Sequence, residues 1–174
     1  MISTNTELRN RFREIVTSEE ELRSVVGHAV RSGSGEEAAV LKTYSGHCHC
    51  GAVRFAVDLD VSAGTGKCNC SICTKMRLWF ARAKTGAFRL LAGEPELTDF
   101  RGNNDVAHHL FCNHCGVHAF EWVDVPNMTG GKYFNINVAC LDGLDIDELM
   151  AAPVTYYDGR NNNWRSRPAE IRHL

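Results

Sequence analysis

Three cysteines lie within six residues, in the stretch Cys68-Asn-Cys-Ser-Ile-Cys73. Side-chain packing does not require thiols at such close spacing, whereas metal ligation does. Three protein ligands leave one position of a tetrahedral zinc site open, and an open position can bind a substrate atom. The stretch therefore predicts a metal centre with a chemical role, around which the rest of the chain is arranged.

Four of the remaining cysteines form two further pairs. Cys48 and Cys50 are spaced C-x-C, and Cys112 and Cys115 are spaced C-x-x-C. A glycine follows each pair and allows the backbone to turn sharply beneath a metal. Together the pairs supply the four ligands of a closed, structural site, which would tie the first strand of a domain to a late hairpin.

The composition favours metal binding over disulfides. The N-terminus lacks the apolar run of a signal peptide, and no stretch approaches the roughly 18 apolar residues that a membrane span needs. We therefore expect a soluble, cytoplasmic protein without membrane contact, in a reducing compartment where thiols stay free. A net charge of -2 and an isoelectric point near 6.4 provide no basic field, so no nucleic-acid partner is expected.

The 174 residues suffice for one domain with a sizeable core. Residues 17–30 carry a helix-start signal at Thr17 or Ser18, followed by three glutamates and apolar residues on one face. We expect this helix to pack on the domain or on a second copy in a homodimer; binding another partner is the alternative. Residues 1–37 are therefore predicted to be a helical extension and linker, and residues 38–174 a single zinc-binding domain.

From Leu41 onward, apolar residues alternate with polar ones, which indicates β-strands. Val53, Phe55 and Val57 form one such set, and Phe134, Ile136 and Val138 form another. Further short strands are predicted at Leu78–Ala83, Ala87–Leu91, Glu96–Arg101, Val106–Phe111 and Val117–Trp122. A short helix at about Ile146–Ala151, capped by Asp145, is the main exception. The sequence predicts a mainly β fold.

The chemistry of the open site follows from its ligands. Three thiolates on Zn²⁺ give a net charge of about -1, which weakens the Lewis acid and favours a soft sulfur ligand over water activation. A substrate thiol bound there would lose its proton, and nearby cations would offset the charge; the candidates are Lys67, Lys75 and Arg77. A histidine could instead close the site, the candidates being His47, His49, His114 and His118. The site would also accept iron. Cys140 is expected to be an inert buried thiol.

Four segments carry a family resemblance: Gly46-His-Cys-His-Cys-Gly-Ala-Val-Arg-Phe, Cys68-Asn-Cys-Ser-Ile-Cys-Thr-Lys, Phe111-Cys-Asn-His-Cys-Gly and Asn137-Val-Ala-Cys-Leu-Asp-Gly. Over roughly residues 42–165 the chain resembles the glutathione-dependent formaldehyde-activating enzyme family, which includes the centromere protein V type domain. The resemblance implies coiled antiparallel β-sheets of the Mss4-like or β-tent type. It also implies two zinc ions: a structural one on Cys48, Cys50, Cys112 and Cys115, and a catalytic one on Cys68, Cys70 and Cys73.

The implied activity is that of a carbon–sulfur lyase that joins formaldehyde to glutathione, giving S-hydroxymethylglutathione. The sequence does not assign the glutathione contacts, for which Tyr133, Asn135, Asn137, Trp79 and the segment 158–164 are candidates. Two alternatives stay open. One is a non-catalytic zinc module that binds a protein partner or carries glutathione. The other is a methionine sulfoxide reductase, which would need Cys140 as a free nucleophile.

Overall fold

A computed structural model describes residues 41–102, 106–125 and 131–174. These residues form ten strands and two short α-helices, so the mainly β prediction is confirmed for this part of the chain. The predicted N-terminal helix and linker lie outside the described residues. The strands are β1 Lys42–His47, β2 Arg54–Leu59, β3 Thr65–Cys68, β4 Trp79–Lys84, β5 Phe88–Ala92, β6 Leu97–Phe100, β7 Ala107–Cys112, β8 His118–Val125, β9 Gly131–Asn137 and β10 Val154–Tyr157. The helices are α1 Ser71–Met76 and α2 Ile146–Ala151.

The strands form two sheets. The first has three strands in the order β1-β2-β5, and the second has seven in the order β10-β3-β4-β9-β8-β7-β6. All neighbouring strands pair antiparallel except β3 and β10, which run parallel with Thr65 opposite Val154. The parallel pair brings the late part of the chain back to the strand that ends at Cys68.

Aromatic side chains from both sheets fill the core between them. Phe55 and Phe88 come from the small sheet, and Phe120 and Phe134 come from the large one; all four are at most 1% exposed. The ring centroids of Phe88 and Phe134 are 4.2 Å apart, and those of Phe88 and Phe120 are 4.7 Å apart. Burial of four such rings contributes on the order of 2–3 kcal/mol each, which holds the sheets face to face.

The alternating pattern correctly identified the inward-facing residues. Val53, Phe55 and Val57 are fully buried, as are Phe134 and Ile136. Val138 is buried too, but it lies in a 3₁₀ turn at Val138–Cys140, because the Asn137 side chain accepts a hydrogen bond from the Ala139 N–H and turns the chain out of the sheet. The strand prediction was therefore one residue too long here.

Helix α2 begins and ends where its sequence predicts. The Asp145 carboxylate accepts hydrogen bonds from the N–H groups of Asp147 (2.7 Å) and Glu148 (3.3 Å), and Pro153 follows the helix closely. Within the described residues, no helix has the length and apolar character that crossing a membrane requires.

Candidate metal centres

The two cysteine pairs meet at the junction of the two sheets. The sulfur atoms of Cys48, Cys50, Cys112 and Cys115 all lie within 4.8 Å of one another. Cys50 Sγ is 3.6 Å from Cys48 Sγ and 3.7 Å from Cys112 Sγ. Four thiolates at about 2.3 Å from a tetrahedral zinc would be roughly 3.8 Å apart. The arrangement fits a closed four-thiolate site.

Two similar turns position these sulfurs. In the first, the Cys48 N–H donates to Val53 O (3.1 Å) and the Gly51 N–H donates to Cys48 O (3.0 Å). In the second, the Cys112 N–H donates to Val117 O (3.0 Å) and the Gly116 N–H to Cys112 O (2.9 Å). Both glycines have positive φ angles, 75° and 72°, which favour glycine over other residues. The glycines therefore have the turning role that their positions predict.

Backbone N–H groups also stabilise the thiolate form in these turns. The Val53 N–H donates to Cys48 Sγ at 3.3 Å. A hydrogen bond from the Val117 backbone lowers the pKa of Cys115 to about 6, while burial raises the pKa of Cys112 to about 12. A bound metal would take the place of the proton on the buried thiol.

The triplet lies at the end of β3 and the start of α1. Cys68 is the last residue of β3, Cys70 precedes the helix, and Cys73 lies within it. Their sulfur atoms fall within 4.8 Å of one another, with no fourth ligand from the described residues in the group. None of the four candidate histidines joins it. His47 contacts Asp142 and His114 contacts Glu96, His49 is exposed, and His118 belongs to another group.

The protonation of each of the three thiols depends on the other two. Hydrogen bonds from Cys68 and Cys73 lower the pKa of Cys70 to about 2, and the same network raises the pKa of Cys68 to about 11 and that of Cys73 further. Without metal, one thiolate is therefore held by two thiols. A divalent ion would replace both remaining protons, so metal binding here should release protons.

Two of the three candidate cations contact the residues that cover the triplet. The Lys67 ammonium donates to Leu174 O at 3.1 Å and lies 4.7 Å from the Trp79 ring centroid. The Arg77 guanidinium donates to His173 O. Lys75 is exposed on α1. A small pocket of about 10 Å³ lies here, lined by Cys68, Cys73, Thr74, Arg77, Leu78 and Leu174.

The segment after β10 contacts the loop that carries the three cysteines of the triplet. The buried Asn69 side chain donates to Asp158 Oδ1 (2.6 Å) and accepts from the Arg160 N–H (2.8 Å). Next to Asp158, the Gly159 backbone passes directly against Cys68. The sequence marked residues 158–164 as candidates for substrate contacts; Asp158, Gly159 and Arg160 instead contact the loop that carries the cysteines.

A third group of metal-ligating side chains was not predicted. His109, His118 and Glu121 are buried on β7 and β8, with one potential ligand atom each within 4.8 Å of the others. The sequence signal was the presence of polar residues in the middle of apolar strands, but only the strand register brings them together. Cys140 is 8% exposed, and burial raises its pKa to about 11, in line with an inert thiol.

A comparison with known protein families identifies the family of this chain. The sequence profile of the family described as glutathione-dependent formaldehyde-activating enzyme matches residues 43–157, about two thirds of the chain. The chain belongs to this family. All seven cysteines of the two thiol groups lie within the matched residues, so the family assignment and the geometry agree on a metal-binding domain of this type.

A solved structure supports the fold of the family domain. It is the crystal structure of a Rhodobacter sphaeroides protein determined as a structural genomics target, and it is 30% identical to this chain with a TM-score of 0.54. The match covers 64% of this chain and 99% of the other. This chain therefore has further residues outside the part that matches that structure.

Proposed function

We propose that this protein is a zinc-dependent carbon–sulfur lyase that joins or cleaves a thiol–aldehyde adduct, with glutathione and formaldehyde as its substrates and S-hydroxymethylglutathione as the adduct. The observation that carries the proposal is the triplet of converging thiols, Cys68, Cys70 and Cys73, to which the described residues add no fourth ligand. The family assignment gives the substrate class. Cys48, Cys50, Cys112 and Cys115 would hold a second, structural zinc.

The donor set of the triplet suits thiol activation. Zinc held by three thiolates has a position for a soft sulfur ligand and would favour the deprotonated form of a substrate thiol. The sulfur-rich site is partly buried, which keeps water away from the thiolate. Cys68 and Cys73 are 4% and 8% exposed, and they pack with Leu78 and Phe80.

The cations beside the triplet would bind the anionic parts of glutathione. A fourth thiolate brings the charge of the centre to about -2, which favours positive side chains within a few ångströms. Lys67 and Arg77 are the two that already reach the residues covering the pocket. Glutathione carboxylates would replace the backbone oxygens of Leu174 and His173 as partners of these two cations.

Metal analysis combined with glutathione titration tests this function. We expect both cysteine groups to hold zinc, and X-ray absorption at the zinc edge should show one ion gaining a sulfur ligand when reduced glutathione is added. Formation of S-hydroxymethylglutathione should then be accelerated by the protein and abolished in Cys70→Ser. The matched control is Cys140→Ser, which removes a buried thiol outside both groups. Unchanged zinc coordination with glutathione present would contradict the mechanism.

One observation favours the non-catalytic alternative, a zinc module that binds a protein partner or carries glutathione. The pocket has a volume of only about 10 Å³, far below the roughly 300 Å³ or more of typical ligand sites, and Leu174 forms one wall. A tripeptide could enter only if the last residues move. A reductase with Cys140 as nucleophile is disfavoured, because that thiol is buried and its pKa is raised to about 11.

A cytoplasmic location, a homodimer and the domain boundary near residue 38 stay predictions.

A further inference from the structure

A row of polar side chains crosses one face of the large sheet. The strand register places His109 opposite Glu121, Glu121 opposite Asn135, and Asn135 opposite Arg82. Successive residues of a strand point to opposite faces, so this row faces away from the phenylalanine core and shares the face of Phe80, which packs with Cys68 and Cys73. The row therefore leads towards the triplet.

Three members of this region are buried and point their ligand atoms at one another. His109, His118 and Glu121 are 6%, 5% and 4% exposed. Glu121 Oε2 lies 2.5 Å from His109 Nδ1 and 3.9 Å from His118 Nε2. Ligands of a tetrahedral zinc at about 2.0–2.1 Å would be roughly 3.4 Å apart, so shifts of less than 1 Å would bring both distances into range.

The hydrogen bonds of these atoms are incomplete. Among the described residues, neither ring nitrogen of His118 has a hydrogen-bond partner, and the close approach of His109 Nδ1 to Glu121 Oε2 lacks the direction of a hydrogen bond. Buried polar atoms without such partners are rare and each needs a reason. Ligand atoms that converge on one point without bonding to one another are what an ion between them would produce.

The charges favour a cation at the same point. Glu121 brings a carboxylate to this point, and His109 and His118 each bring an imidazole nitrogen, a set of ligand atoms that binds divalent zinc. The Asn135 Nδ2 donates to Glu121 Oε1 at 2.8 Å and so leaves Oε2 facing the histidines.

We propose that His109, His118 and Glu121 form a third metal site, which takes a divalent transition ion such as Zn²⁺ through two imidazoles and one carboxylate. Three ligands leave room for a water or an oxygen ligand. The site differs from both thiol groups in its ligand chemistry, since nitrogen and oxygen ligands suit a harder ion than thiolates do. Asn135, itself contacted by Arg82 at 3.5 Å, supports the carboxylate from behind.

Zinc stoichiometry and ligand type test the proposal together. The full-length protein is loaded with excess zinc, freed of unbound metal, and measured by elemental analysis and zinc-edge X-ray absorption. We expect three ions per chain, one of them with nitrogen and oxygen ligands. His118→Ala and Glu121→Gln should each lose about one equivalent together with the nitrogen and oxygen signal, and Glu121→Gln decides the question if His118→Ala does not fold.

The matched control is His108→Ala. His108 is fully buried on the same strand as His109 but on the opposite face, where it contacts Asp99 at 2.8 Å and stacks on Trp122. This variant should keep all three ions. A wild type without an ion bound by nitrogen and oxygen ligands, or the same nitrogen and oxygen signal in the wild type and the ligand variants, would overturn the proposal. The sulfur-ligated ions and their response to glutathione are read separately, so a failure here leaves the lyase test unaffected.

Discussion

At Gly159 the backbone lies so close to Cys68 that no side chain fits between them. A Cβ atom at this position would lie 2.7 Å from Cys68 Sγ and 2.6 Å from the Trp164 ring. We expect Gly159→Ala to displace the sulfur and weaken zinc binding by the triplet roughly 10- to 100-fold, as for other changes next to metal ligands. Competition with a chromophoric chelator measures the zinc affinity of the triplet.

The control is Gly86→Ala, because a Cβ atom at Gly86 meets nothing within 4 Å. Equal zinc affinity in the two variants would refute the expectation.

A second prediction at this scale concerns Asp58 and Arg89. The Arg89 guanidinium forms two hydrogen bonds with the Asp58 carboxylate, at 2.9 and 3.1 Å, and holds the pKa of Asp58 below its usual range. Since the folded-state pKa is the lower one, the stabilisation is present above about pH 3.9, the unfolded value, and is lost as the pH falls through the folded value.

Asp58→Asn should therefore cost about 0.5–1 kcal/mol of unfolding free energy at pH 7, typical of a partly exposed pair. The difference from the wild type should stay constant down to about pH 5 and shrink only below about pH 4. Urea unfolding across this range gives the measurement. A difference in unfolding free energy that grew on acidification would contradict the prediction.

At the scale of the element, residues 173 and 174 would compete with the proposed glutathione substrate for the two cations beside the triplet. The backbone oxygens of His173 and Leu174 accept hydrogen bonds from Arg77 and Lys67, respectively, and Leu174 lines the pocket. Deleting residues 171–174 should tighten glutathione binding by on the order of tenfold, since one or two hydrogen bonds to charged groups no longer need to be broken. Calorimetric titration provides the affinity.

The control for this deletion is Arg172→Ala, which removes an exposed side chain paired with Glu170. It should leave the affinity unchanged. Weaker glutathione binding after the deletion would instead make Leu174 a wall of the binding site.

Elements also differ in how far the sequence predicts them. The strands at 79–84, 88–92, 97–100 and 107–112 lie within one or two residues of their predicted bounds, because alternation over five or six residues is a strong signal. Helix α1 was missed, since it has six residues and Cys70 provides no side-chain cap. Strands β3 (Thr-Gly-Lys-Cys) and β10 (Val-Thr-Tyr-Tyr) were missed because their residues show no clear alternation of apolar and polar side chains.

Across the whole molecule, the four-thiol group joins the two sheets. Cys48 and Cys50 follow β1 of the small sheet, and Cys112 and Cys115 lie at the turn between β7 and β8 of the large one. If these residues hold zinc, Cys112→Ala or removal of metal by a chelator should cost several kcal/mol of stability and broaden thermal unfolding. Cys140→Ala, a buried thiol in neither group, should lose no more than about 1–2 kcal/mol. Equal melting curves for the two variants would exclude a structural metal here.

The sequence predicted the thiol grouping because spacing along the chain is visible in it. It did not predict the group of His109, His118 and Glu121, nor the contact of Gly159 with Cys68. Both depend on which strands become neighbours, and that order is set by long-range packing. Local patterns therefore located the cysteines, and the topology determined what surrounds them.

The parallel pairing of β3 with β10 also sets an order in time. During translation, Cys48, Cys50, Cys112 and Cys115 are all made before residues 154–164, so the four-thiol group can assemble first. The triplet acquires the Asn69–Asp158 contact and the Gly159 backbone only when the late strand docks. The four-thiol group can therefore form before the triplet is enclosed, and an ion bound early by the triplet would stay exchangeable until the last strand is made.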